Sequence, residues 1–336
     1  MSSPAYTAAR ERAAWLNRSS RGRIVVSGAD RRSYLQGLLT NDIEALVAGR
    51  GCYAAYLTAQ GRMTADLWVY ELGDVILLAM LGEVKDTLLA KLDQFIFSED
   101  VQLGDVTSTF AAIAIVGPQA LDVTANVVAG VSRDALLSLP EHGNVRAQLG
   151  EGPVIVTRVS DVGEAGFELY VAAEQREAVV AALRTAGIAE LDAETAEILR
   201  VEAGVPLFHR DMDEETIPLE AGIESRAISF TKGCYVGQEV IIRVLHRGHG
   251  RVARRLVSLA CGGDVVPERG AAIHVEDKPV GQVTSAVMSP RLNRPIAMGY
   301  VHRDAADPDT ILRINSSSAG GNGSSFISAR VTQRIS

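Results

Sequence analysis

One local pattern occurs twice in this chain and constrains its fold more than any other feature. Ile24-Val25-Val26 runs through Ser27-Gly28-Ala29-Asp30 into helical spacing over 31–39, which ends near Thr40-Asn41-Asp42. Residues 112–116 repeat the strand, Gly117-Pro118 the turn and 119–128 the helix, with proline suited to a first helical position. Two such units predict two related α+β halves rather than one long sheet. Between them, 51–57, 63–71 and 74–81 read as strands. Residues 82–97 read as an amphipathic helix with Val84, Leu88, Leu92 and Phe95 inward, giving the βαββαβ order of a ferredoxin-like subdomain. Residues 153–160 and 166–172 form a hairpin-like pair, helix 174–185 follows, and Asp192 can cap a further helix through 203.

After a basic segment at 243–255 the character changes to strands and turns alone. Six short candidates, at 252–259, 271–275, 278–287, 296–302, 311–315 and 326–332, predict an all-β barrel or sandwich. The expected organisation is α+β over 1–245, with subdomains of about 20–110 and 111–245, followed by an all-β domain over 246–336. The Ser/Gly-rich stretch at 316–325 reads as a flexible hairpin loop. The arginine-rich first 32 residues read as a solvated lead-in helix, with structured pattern beginning at Ile24.

Totals matter for what they exclude. A net charge of -8 argues against a general nucleic-acid-binding surface, and the longest apolar run, 75–81, is far too short to span a bilayer. No secretory signal is visible. Cys52, Cys234 and Cys261 are an odd set without close spacing, which speaks against a disulfide framework or a self-contained metal cage and for a reducing compartment, the cytoplasm. His209, His246, His249 and His302 lack zinc-site spacing and read as surface or loop residues.

Two strands carry carboxylates where chemistry could use them. Period-two alternation puts Asp66, Trp68 and Tyr70 on one face, and Glu168 with Tyr170 on the face opposite Phe167 and Leu169. An acid beside aromatics suits a flat heteroaromatic ligand, since rings stack while the acid moves a proton or accepts from ring N–H groups. Either acid also fits an ordinary solvated strand position. Arg243, Arg247, Arg251, Arg254 and Arg255 form a basic cluster that reads as a solvated face, or else as a seat for an anionic ligand tail; an RNA backbone is the less favoured partner.

The segment Lys232-Gly233-Cys234-Tyr235-Val236-Gly237-Gln238-Glu239 places a thiol beside a lysine between two glycines. Apolar spacing at Val236, Val240, Ile241 and Val244 predicts a helix over 235–244, with Cys234 at its start, where Lys232 and the helix dipole would favour thiolate. The alternative is a glycine-tight turn whose cysteine packs as a small hydrophobe.

With Arg200-Val201-Glu202-Ala203-Gly204-Val205-Pro206 and Pro218-Leu219-Glu220-Ala221-Gly222, this segment resembles the signature of the YgfZ-type folate-binding proteins. Those proteins act in iron-sulfur cluster assembly or repair, in support of iron-sulfur enzymes including tRNA-modifying ones. They share a fold with the T-protein, the aminomethyltransferase of the glycine cleavage system. Leu35-Gln36-Gly37, Thr40-Asn41-Asp42 and Gly281-Gln282-Val283-Thr284-Ser285 extend the resemblance over nearly the whole chain.

The resemblance implies a T-protein-like fold, two ferredoxin-like α+β subdomains with a C-terminal six-stranded β-barrel, and tetrahydrofolate, or a one-carbon-substituted form, as cofactor. It implies Asp66 as the catalytic aspartate and Glu168 as the pterin-binding glutamate, with Trp68, Arg200, Tyr235, Gln238 and Glu239 around the cofactor. Cys234, with Lys232 beside it, is implied as the working thiol, a transient ligand to a client's cluster rather than a resident metal site. The implied partners are iron-sulfur client enzymes or assembly proteins, with no membrane role. Asp161 stands where the T-protein has a pterin-contacting tyrosine, and Ala196 where it has an arginine. The alternative role is folate-dependent aminomethyl transfer using Asp66.

Overall fold

The structure, a computed structural model, describes residues 3–246, 251–316 and 325–332. Two compact units emerge. One holds Ser3–Asp192 and Ser225–Gln238; the other holds Ala193–Glu224 and the described part of Glu239–Ser336. The cysteine segment through Gln238 therefore packs with the α+β unit, while the helix Ala193–Glu202 packs with the barrel strands.

The α+β unit is built on two sheets. The first is antiparallel, in the order Arg50–Leu57, Met63–Glu71, Ile76–Met80, Gly22–Ser27, Gln102–Asp105. The second runs Ala189–Glu190, Ala14–Asn17, Phe110–Val116, Gly166–Ala172, Gly152–Val159, Asn144–Leu149, with its only parallel pair between the first two. Alternation gives each sheet a face for the other: Tyr70, Leu77 and Ala79 pack against Ala112 and Tyr170, and the Tyr70 and Tyr170 ring centroids lie 6.2 Å apart. The helix Gly82–Asp93 buries Val84, Leu88 and Leu92 as its spacing predicts.

Two expectations fail here. Phe95 is exposed, because the helix ends at Asp93 and the ring falls beyond its last turn. The lead-in is not a solvated helix either. Only Pro4–Glu11 is helical, and Ala14–Asn17 enters the second sheet with Trp15 in its core; Arg18 and Arg23 are buried among backbone and side-chain oxygens.

In the other unit the six strands Arg254–Cys261, Arg294–His302, Lys278–Ser289, Ala272–Val275, Ile311–Ser316 and Ser325–Thr332 close into a barrel in that order. Leu259, Ile273, Val283, Leu312 and Ile314 fill it, and register shifts after Ile273 and Val283 bend the strands into closure. Of the loop expected at 316–325, residues 317–324 lie outside the described residues, as do Arg247 and His249. Among the described residues no helix is long and apolar enough to cross a membrane.

Candidate functional site

The facing sheets bring Asp66 and Glu168 into one buried polar patch of the α+β unit. Asp66 lies on Met63–Glu71 and accepts a hydrogen bond of 2.7 Å from the Tyr53 hydroxyl. Burial pushes its pKa above the ordinary carboxylate value, against the opposing pull of Tyr53, Arg21 and Arg226. Trp68, two residues on, sits 5.7 Å from the Tyr53 ring, and the Arg21 guanidinium covers it at 4.5 Å. Arg226 lies 5.3 Å over Tyr53 in the same way.

Glu168, on Gly166–Ala172, is 0% exposed. Its Oε2 is 3.5 Å from Arg18 Nη1 and 3.6 Å from Arg21 Nη1, while Oε1 is buried with no partner. Asp161 completes the cluster, accepting from Arg18 Nη2 at 2.7 Å and from Arg21. Although burial works against its charge, the two arginines hold Asp161 well below the usual carboxylate range, and Asp161 and Glu168 in turn raise Arg21. Asp161 is thus the anchor of an arginine pair. Arg18, Arg21, Tyr53 and Arg226 were not singled out from the sequence. The arginine density before residue 32 was the available signal.

Cys234 does not stand at a helix start. The helix begins at Gln238, and Gly237 intervenes with φ +83°, where a Cβ would come within 2.5 Å of the Thr58 carbonyl oxygen. Nor does the cysteine fill a core: it is exposed, while Tyr235 beside it is buried. Lys232 donates its three N–H groups to the carbonyl oxygens of Gln36, Leu39 and Asn41 at 2.6, 2.6 and 2.8 Å. Its ammonium also lies 5.1 Å from the Tyr235 ring centroid. The lysine therefore fastens the loop instead of charging the thiol.

The motif at 36–42 explains itself in the same contacts. Gln36 accepts from the Ile43 N–H at 2.7 Å and donates to Asp42 at 3.0 Å; Thr40 donates to Ala227 O, and Asn41 to Tyr53 O and Arg226 O. This turn joins the strand Arg50–Leu57 to the segment that carries Cys234.

The remaining expected residues sit elsewhere. Arg200 belongs to the barrel unit, where all five guanidinium N–H groups are taken by Glu197, Asp211, Val205 O and Ser285. It has no donor left for a ligand. Gln238 opens its helix half-buried, and Glu239 is exposed and paired with Arg243 at 2.6 Å. Within the basic cluster, Arg254 stacks 4.5 Å over Tyr300 and bonds Glu220, so it is structural. Among the described residues no group of three or more His, Cys, Asp or Glu side chains is placed to hold a metal ion.

The fit of a pterin rests on Glu168 Oε1, a buried acceptor without a partner, and on the buried acid Asp66; the Trp68 ring beside them carries the Arg21 guanidinium.

Comparisons with known proteins give the family and the fold. Residues 4–232 match the GCVT N-terminal domain, and residues 254–321 match the glycine cleavage T-protein C-terminal barrel domain. The aminomethyltransferase of Rubrobacter xylanophilus is 31% identical over 296 residues, 88% of this chain and 78% of its own length. That of Cutibacterium acnes is 31% identical over 323 residues, 92% of this chain and 85% of its own. The crystal structure of the glycine cleavage system aminomethyltransferase T of Bartonella henselae superposes with a TM-score of 0.87 at 21% identity, covering 98% of this chain and 88% of that one, which establishes the shared fold.

Proposed function

This chain belongs to the glycine cleavage T-protein family, whose aminomethyltransferases use tetrahydrofolate, and from there we propose that it binds tetrahydrofolate and handles a folate-borne one-carbon unit in an aminomethyltransferase-like way. The observation that carries this reading is the unpartnered, fully buried Glu168 Oε1 beside the Asp66–Trp68 strand. Glu168 would accept from the amidine-like edge of the pterin, and Trp68, one face of which Arg21 covers, would offer its other face to it. Tetrahydrofolate supplies the ring and amine nitrogens at which a one-carbon unit is held. Asp66, with its pKa raised by burial and its carboxylate oriented by Tyr53, would hold and move the proton there. The site would act in a reducing compartment such as the cytoplasm.

Titration of tetrahydrofolate against the wild type and Glu168→Gln tests the binding, with about tenfold or greater loss expected from removal of a charged acceptor. Equal affinity removes Glu168 from the site. Methylene-tetrahydrofolate formation from an aminomethyl-loaded lipoyl carrier tests the transfer. Turnover no higher than that of Asp66→Asn leaves folate binding without transfer.

A second reading is favoured by one observation, the exposed thiol on a fastened loop. In it the protein is a YgfZ-type folate-binding accessory factor for iron-sulfur enzymes, and Cys234 meets a client's cluster or sulfur as cargo. One thiolate cannot enclose a cluster that commonly needs four. Cys234→Ala in a deletion strain should then keep folate binding and lose support of iron-sulfur enzymes; full complementation would sink this role.

A further inference from the structure

The α+β unit contains a second opening that shares none of Asp66, Trp68 or Glu168. It is a cavity of about 620 Å³, within the roughly 300–1,000 Å³ typical of small-molecule pockets. Val25 and Leu77 from the first sheet, and Ile155 and Phe110 from the second, give it apolar walls. Two residues that line it carry buried polar atoms without partners. Arg23, 0% exposed, uses Nη2 on the carbonyl oxygens of Ser19 and Thr107, and its Nε and Nη1 are buried and unbonded. The Tyr170 hydroxyl, from the opposite sheet, is also buried and unbonded.

Among the described residues Arg23 has no carboxylate within ion-pairing distance, unlike Arg18 and Arg21 nearby in the chain. Its nearest counter-charges, Glu168 and Asp105, act on it from beyond ion-pairing distance; a buried guanidinium so placed is costly, and an anion in direct contact gains charge-assisted hydrogen bonds in a dry setting. Arg146 at the lining is solvent-exposed and paired with Asp74, so Arg23 is the buried cation that faces the cavity.

We propose that this cavity binds an amphipathic monocarboxylate, its chain against Val25, Leu77, Phe110 and Ile155 and its carboxylate on Arg23 and the Tyr170 hydroxyl. The cavity shares no lining residue with the folate site, although Glu168 acts electrostatically on both Arg23 and Tyr170. Calorimetric titration with decanoate, and with decan-1-ol as its uncharged counterpart, tests it on the full chain. The wild type should bind decanoate saturably and at least tenfold more tightly than decanol. Arg23→Met should bring decanoate down to decanol's affinity.

Val75→Trp, which leaves Arg23 intact and fills a half-buried lining position, should abolish both while leaving tetrahydrofolate binding unchanged. It decides the matter even where Arg23→Met fails to fold. Absence of decanoate binding to the wild type, equal binding of acid and alcohol, or wild-type decanoate binding by Val75→Trp each overturns the proposal.

Discussion

Asp161 and Glu168 share the same two guanidinium groups: Arg18 reaches Asp161 through Nη2 and Glu168 through Nη1, and Arg21 does the same. Two acids and two arginines therefore balance inside the unit, yet unevenly, because Asp161 takes the short contacts and Glu168 the long ones. The long contacts leave Glu168 able to accept from a ligand. The short ones make Asp161 a structural ion.

Asp161→Asn should accordingly lose about 3 kcal/mol of stability at neutral pH, the scale expected when one partner of a buried ion pair is removed. The pH dependence follows from the depressed pKa. The wild type holds this contribution above the unfolded value of about 3.9 and loses it as pH falls through the folded value. The gap between the two proteins in urea denaturation should therefore narrow on acidification. A gap independent of pH would show that Asp161 acts by packing alone.

Asp66 carries the opposite sign. Its folded pKa is raised, so the folded state is favoured while the acid is protonated and loses that advantage as pH rises through the folded value. Asp66→Asn keeps an oxygen for the Tyr53 hydroxyl and never ionises. The variant should be more stable than the wild type at pH 8, with the advantage fading as pH falls toward the ordinary carboxylate range. Denaturation midpoints at three pH values measure it.

The three thiols should separate cleanly by reactivity. Burial pushes both Cys52 and Cys261 up to about 12, while Cys234 is exposed. Ellman's reagent should titrate one fast thiol in the native protein, none in Cys234→Ser, and three in denaturant. The substitution itself should change stability by less than about 0.5 kcal/mol, as for an exposed side chain.

Gly237→Ala should destabilise the α+β unit by on the order of 1–3 kcal/mol, because the residue is held at φ +83° and a Cβ would strike Thr58 O. A lowered Tm and a more protease-sensitive 232–239 segment are the expected readouts; an unchanged Tm would mean that the loop moves freely off the Thr58 turn.

Much of the scaffold was legible from periodicity. Strand 63–71 was read with its true ends, and the barrel strands were located from turn spacing, because alternation and glycine-rich turns are local signals. The chemistry at Arg18 and Arg21 was not, since their partner Asp161 lies 143 and 140 residues away and a paired arginine looks like a solvated one in sequence. The helix expected over 235–244 fits the apolar spacing, but spacing cannot show that Gly237 is left-handed. Asp66 and Glu168 could be placed on faces; that the faces meet is a tertiary fact.

The Lys232 to Gln36 contact spans 196 residues of chain, and its neighbours Leu39 and Asn41 nearly as many. Contacts of such separation close large loops and form only when most of the intervening structure exists to compensate the lost chain entropy. During synthesis, residues 36–42 must wait for some 190 more before their partner emerges. The thiol is thus displayed in its fastened geometry only on a chain whose sheets are already assembled, so partially folded protein cannot present it to anything that recognises that geometry.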